Sequence, residues 1–197
     1  MARDQVLYTK TLDPTLYDLS NSLAMLGEKQ GKLAMARALN HEGKKAMTAV
    51  VRHLAKSTSV KQSTIRKGLR LRQAWTEEGR DDYLNVQIIA RGKHLSLSEF
   101  KPRQLKKGVS ATVWGKRQRF DGAFMLKKAG STVFKNTGEW NPRSGRNNNI
   151  EKLWGPSLPV ELQDEETRKV FEDHFDNLHY RVTHEVNRLM PPDMGFE

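Results

Sequence analysis

The side chains with the most chemistry to offer lie between Phe100 and Gly122, in the stretch FKPRQLKKGVSATVWGKRQRFDG. Lys101, Arg103, Lys106, Lys107, Lys116, Arg117 and Arg119 surround a short apolar run there, with Phe100, Trp114 and Phe120 close by. Cations at that density stay well solvated and suit an extended anionic partner better than an enclosed small substrate. Such a set could hold phosphates and place rings near bases, or pair with acidic surfaces of neighbouring protein subunits, the slightly favoured reading. The same rings would equally fill a sheet core, and neither a zinc-finger nor an RNP pattern accompanies them, so sequence-specific recognition is not expected. A second basic group, Arg66, Lys67, Arg70 and Arg72, lies in a stretch without an acidic residue. A solvated face explains it as well as contact with nucleic acid or an acidic neighbour does.

Other chemistries find little support. With no cysteine, disulfides, thiolate nucleophiles and thiolate-ligated zinc are excluded. His174, His179 and His184 follow one another at intervals of five, which turns successive side chains too far around a helix for one tetrahedral metal site. There is no HExxH, GxSxG or GxxxxGK[ST] motif, and Gly108, Gly115, Gly122 and Gly130 fall where strand ends would put turns. The expectation is a protein that is not an enzyme, with no catalytic residues, no cofactor and no metal.

The elements that must position the basic block follow from periodicity. EKQGKLAMARALNHEGKKAMTAVVRHLAKST reads as a long helix, with Leu33, Ala36, Asn40, Gly43, Met47, Val50 and Leu54 near one stripe. Ala36 and Gly43 point to close approach by another element. Ser57, Thr58 and Ser59 offer caps for a second, shorter helix from Val60 to Gln73. Leu16, Leu19, Leu23 and Leu26 suggest a short helix behind an N-terminal arm. From Tyr83 the period changes to two: Leu84, Val86, Ile88 and Ala90 alternate, as do Val109, Ala111 and Val113. Gly122–Leu126 and Thr132–Lys135 supply two further strands. Residues 136–149, NTGEWNPRSGRNNN, read as a mobile loop. IEKLWGPSLP carries Leu153 and Trp154, anchors for packing within the chain or against a neighbour, a role open to Trp114 too. Phe171, Phe175, Leu178, Val182, Val186 and Leu189 mark a last helix that begins around Val160 or Asp164 and carries the acids Glu161, Asp164, Glu165 and Glu166 in its first turns. The expected fold class is α+β: an antiparallel sheet of about four strands on the long helix, with a C-terminal helix and an extended arm or loop. In chain order the divisions are 1–28, arm and short helix; 29–159, α+β core; and 160–197, C-terminal helix and tail.

A formal net charge of +11 favours a polyanion or an acidic protein surface as partner. At 37% hydrophobic residues, a core is possible with material left for arms or subunit contacts. No apolar stretch reaches membrane-spanning length and the N-terminus lacks a signal-peptide core, so no membrane is expected; synthesis in the cytoplasm, or carriage in a particle assembled there, is.

Three blocks, taken in order, carry a resemblance. They are RALNHEGKKAMTAVVRHLAKSTSVKQSTIRKGLRL, FKPRQLKKGVSATVWGKRQRFDGAF and IEKLWGPSLP. Within them stand Arg37, Ala38, Leu39 and Asn40; Phe100, Arg103, Gln104, Lys107, Gly108, Val109, Trp114, Gly115, Ala123 and Phe124; and Ile150, Leu153, Trp154, Gly155, Pro156 and Ser157. Over roughly residues 30–175 the chain resembles the prophage minor tail protein Z family, which includes the tail completion protein of lambda-like phages. The polar 136–149 stretch departs from the basic connection common in that family. The resemblance implies a virion protein of the tail or neck, present in the host cytoplasm during assembly, that makes the tail competent to join a filled head. Its implied partners are copies of itself in a ring, by fold analogy a hexamer, with a tail-terminator or tail-tube protein and a head-completion or neck protein. Genomic double-stranded DNA would pass nearby. An independent DNA-binding or packaging accessory protein and a transient tail-assembly chaperone are the alternatives.

Overall fold

A computed structural model describes residues 5–11, 27–76, 83–92, 94–146 and 148–189. The helix suggested by Leu16 to Leu26 and the tail after Leu189 lie outside these. Strand β1 (Gln5–Thr11) falls within the stretch expected as an arm. Helix α1 (Glu28–Thr58) follows, then α2 (Gln62–Gly68), β2 (Leu69–Arg72) and β3 (Asn85–Arg91). Next come β4 (His94–Ser96), a 3-10 turn over Leu97–Phe100, β5 (Arg103–Leu105), β6 (Gly108–Val113) and β7 (Lys116–Asp121). The remainder is β8 (Ala123–Leu126), β9 (Thr132–Asn136), β10 (Ile150–Lys152), β11 (Trp154–Ser157), α3 (Leu158–Leu162), α4 (Glu165–Glu172) and α5 (Leu178–Leu189). The mixed architecture matches the expected class, with the antiparallel strands shared among four small sheets. Among the described residues no helix is long and apolar enough to cross a membrane.

The chain forms two compact units, each drawn from separated stretches, whereas the division expected from the sequence followed chain order. The helical unit comprises the described parts of Val6–Val50, Leu69–Ala90 and Asp164–Glu197. Its sheet has the order β1-β3-β2. Val86, Ile88 and Ala90 are buried along β3, as their alternation requires. In α1 the buried surface is wider than one stripe, because Ala34, Ala38, Leu39 and Ala46 join Ala36 and Val50. Gly43 has a direct reason: a Cβ there would stand 2.5 Å from Val86 Cγ1. Asn40, polar within the apolar stripe, donates from Nδ2 to Ala74 O and accepts at Oδ1 from Ala74 N–H, both at 2.8 Å. Its amide thereby satisfies one residue of irregular backbone.

Two expectations need correction here. Val60–Gln73 is not one helix: α2 ends at Gly68, and Leu69–Arg72 pairs with Ala90–Gln87 as a strand. Leu69 is buried while Arg70 and Arg72 are exposed, so a period of two wins over the helical reading. Nor do Ser57 and Thr58 cap the second helix; both hydroxyls donate back to Leu54 O and close α1, and Ser59 leaves it in a left-handed conformation, φ 65°. The C-terminal stripe is real, with Phe171, Phe175, Leu178, Val182 and Val186 buried, but it runs over α4, a 3-10 turn and α5 rather than one continuous helix. Glu185, buried on α5, pairs with Arg181 one turn earlier.

The sheet unit is built chiefly from Val51–Gly68 and Arg91–Gln163. It holds three small antiparallel sheets, β5-β6-β7, β8-β9-β10 and the two-stranded β4-β11. The 3-10 turn touches β4, β6, β9 and β11, and its Leu97 and Phe100 are fully buried. Between β9 and β10 the described residues are hydrogen-bonded as a hairpin: Thr137 N–H donates to Asn149 O, Asn149 N–H to Glu139 O, and Asn141 N–H to Arg146 O.

In the helical unit, burial pushes the Glu42 carboxyl up. Hydrogen bonds from Lys45 Nζ at 3.0 Å and from the His41 ring at 2.8 Å, with the charges beside it, outweigh that and hold it below its ordinary value. A depressed carboxylate stabilises the fold above its unfolded pKa of about 4.3 and loses that contribution as pH falls through the folded value. Glu42→Gln should therefore be less stable than wild type near neutrality and should lose less on acidification, as urea unfolding from pH 7 to pH 3 would record. Gly43→Ala should lower stability despite a helix-propensity gain of about 1 kcal/mol, because overpacking against a stiff valine costs roughly 1–3 kcal/mol. The double variant with Val86→Ala should recover part of that loss, visible as a non-additive midpoint in denaturant.

Candidate interaction surface

The pairing of β5, β6 and β7 decides where each cation of the central block points. Residues directly opposed in antiparallel strands share a face. Ser110 stands between Arg103 on one side and Arg119 on the other, and Thr112 opposes Arg117. Arg103, Arg117 and Arg119 therefore share the outer face with Ser110 and Thr112. Val109, Ala111 and Val113 face the opposite way with Phe120, Gln118 and Lys116, and the three apolar β6 residues are buried. Gln104, on that inner face, accepts from Met125 N–H at 2.8 Å and thus ties the sheet to β8. The block of basic residues is accordingly split. Lys106 and Lys107 form the two-residue turn between β5 and β6, Lys101 follows the 3-10 turn with φ 50°, and Lys116 begins β7 on the inner face. Arg66 and Lys67 lie exposed on α2 in the sheet unit, while Arg70 and Arg72 belong to β2 in the helical unit, where Arg72 lies 4.1 Å from the centre of the Tyr83 ring.

Trp114 and Gly115 make the turn between β6 and β7, and both have positive φ, 49° and 70°. A two-residue hairpin turn with both central residues left-handed matches the twist of its strands, and Asn-Gly is its usual sequence. A tryptophan in that first position is strained by its Cβ. It is held there: Trp114 Nε1–H donates to Glu161 Oε1 at 2.8 Å, and Gly115 N–H donates to Ser59 Oγ at 3.0 Å.

Trp114 borders a cleft of about 530 Å³ within the sheet unit, lined also by Leu97, Phe120, Leu153, Trp154 and Val160. The three anchors expected from the sequence, Trp114, Leu153 and Trp154, are thus brought together. Trp114 is 52% exposed and Trp154 50%, so the cleft opens to solvent along its aromatic rim. Lys152 Nζ lies 4.2 Å from the Trp154 ring centre, a cation–π contact on this half-exposed ring. The wall behind is tight, since a Cβ on Gly155 would come within 2.4 Å of Phe100 Cε2. Sequence reasoning missed two members of this surface. Glu161 looked like an acid at a helix start, and Ser110 carried no signal of its own; only the fold reveals their neighbours.

An apolar, tryptophan-rimmed cleft and a separate cationic sheet face make up the surface of a protein that meets other macromolecules. The chain belongs to the prophage minor tail protein Z family, whose model matches residues 19–190. It is therefore a phage minor tail protein, a structural component of the virion tail that interacts with other structural proteins of the phage. Among curated proteins and solved structures, nothing matches it significantly.

The contact from Trp114 to Glu161 is solvent-accessible and worth on the order of 1 kcal/mol or less. Glu161→Ala should leave the unfolding midpoint nearly unchanged while releasing the indole, which acrylamide quenching of tryptophan fluorescence would register as increased accessibility.

Proposed function

We propose that this protein completes the phage tail at its head-proximal end and helps form the head–tail connection. It acts by assembling as a ring, with six copies the preferred number, and by binding neighbouring tail and neck proteins around the DNA passage. The work is binding and steric completion, with no substrate bond made or broken. The observation that carries this reading is the rim of the cleft: a tail-protein family member keeps two large aromatic rings half in water, one of them in a strained turn. Strained, exposed tryptophan is costly for a free subunit and serves as an anchor when a partner covers it. Burying the rest of both rings would contribute a few kcal/mol at about 25 cal/mol per Å².

The measurement is complementation in vitro. Tails assembled without this protein, mixed with purified wild-type chain and filled heads, should yield infectious particles, and electron cryomicroscopy of the junction should show stoichiometric copies arranged about the tail axis. Trp114→Asn, which suits the left-handed turn, combined with Trp154→Ser should keep the fold by circular dichroism and reduce joining at least about tenfold, equivalent to about 1.4 kcal/mol. Wild-type joining by that double variant would remove the cleft from the assembly contact. Finished particles that lack the protein would overturn the tail-completion role itself.

A further inference from the structure

We propose that the outer face of the β5-β6-β7 sheet is a contact surface for duplex DNA, on which Arg103, Arg117 and Arg119 hold backbone phosphates without reading base sequence. The proposal rests on the reading that the chain works where the genome passes, and adds which residues meet it and how.

The three arginines are gathered around one small residue. Arg103 and Arg119 directly flank Ser110 across the two ladders, and Arg117 reaches Ser110 Oγ from both Nε at 3.2 Å and Nη2 at 2.8 Å. Ser110 is 6% exposed beneath them, whereas all three arginines are exposed. By strand spacing, Arg103 and Arg119 have Cα atoms about 9.5 Å apart, and Arg117 and Arg119 about 7 Å. Like charges this close, within about one Debye length, repel in the free protein. Among the described residues, the ion pair recorded for these three is Arg119 with Asp121 at 2.6 Å, on side chains that are both well exposed. One carboxylate against three guanidiniums leaves a net positive face. Lys106 and Lys107 extend it at the turn.

What the face lacks selects the partner. Its other side chains are Ser110, Thr112, Asp121 and the partly exposed Leu105, with no aromatic ring, because Phe120 points to the inner face and Trp114 stands at the hairpin tip beside the cleft. Protein interfaces are anchored by buried aromatic and apolar groups, and Leu105 is the one large apolar side chain on this face, whereas Trp114 and Trp154 rim the cleft. Single-stranded nucleic acid needs stacking platforms, which are absent among the face's residues. A sheet surface presenting guanidiniums, without rings, fits the regularly spaced phosphates of a duplex.

The test is binding of a random-sequence 30-base-pair duplex by the full chain across a salt series. Each phosphate neutralised contributes about −0.9 to the slope of log affinity against log salt. Removing three cations as R103Q/R117Q/R119Q should therefore flatten the slope by roughly 2–3 and weaken binding at least about tenfold at low salt. A charge-matched variant away from the face, K116Q/K127Q/K128Q, should change the slope by less than about 1, and R103K/R117K/R119K should retain it. If the glutamine triple fails to fold, R103Q alone should flatten the slope by about 1. Equal slopes for the face and off-face variants, or no duplex binding by wild type at 50 mM salt, would overturn the proposal. So would a face variant that binds DNA normally but no longer attaches to tails, an outcome that would assign the face to an acidic protein. Wild-type chain that binds duplex through this face yet never joins tails would instead count against the tail-completion reading alone.

Discussion

The sheet unit depends on two side chains. Two- and three-stranded sheets of three to six residues per strand are marginal on their own, because each buries too little apolar surface to offset the entropy of ordering it. The unit contains three of them. Leu97 and Phe100, fully buried on one 3-10 turn that contacts β4, β6, β9 and β11, give these ribbons a shared core. Ser96 starts that turn by accepting the Ser98 N–H at its hydroxyl, and Lys101 ends it in a left-handed conformation. The chain can therefore leave abruptly into β5. Gly155 is small for the same reason, since the Phe100 ring occupies the space that a side chain would need. Packing at this centre also sets the back wall of the cleft, so stability and the shape of the cleft depend on the same residues.

Much of the architecture was legible because burial left a period in the sequence. Val86, Ile88 and Ala90, and Val109, Ala111 and Val113, alternate because one face of each strand is covered; α1 shows its length because its small and apolar residues recur at helical spacing. Failures occurred where that signal is weak. Strand β7, KRQRFD, is mostly exposed and has only Phe120 to mark its inner face, so its polar composition hid it. Arg70 and Arg72 were assigned to a helix because charge repetition does not distinguish a period of two from one of 3.6 over four residues. The hairpin between β9 and β10 is held by backbone hydrogen bonds and local asparagine turns, which carry no hydrophobic pattern. The C-terminal stripe was visible, yet its interruptions were not, because a short 3-10 turn preserves the spacing of buried phenylalanines.

For the candidate surface, composition named residue types and could not sort them by face. Seven cations in one stretch look like one patch, but register sends three arginines outward, places Lys116 on the other side and leaves the remaining lysines in turns. The tryptophans stood out by type, while their convergence on one cleft depends on a hairpin tip meeting a segment some forty residues later. Charge and aromaticity therefore occupy different surfaces of one small unit. Two unlike neighbours can be met without competing for the same side chains.

Strand β11 adds a constraint of another kind. Its pairing with β4 is interrupted between Trp154 and Ser157, and Pro156 within the gap has no amide hydrogen to offer. An incoming strand would find neither a continuous row of donors nor a straight edge to follow. What that edge offers instead is indole and aliphatic surface, and its break guards the chain against open-ended sheet growth.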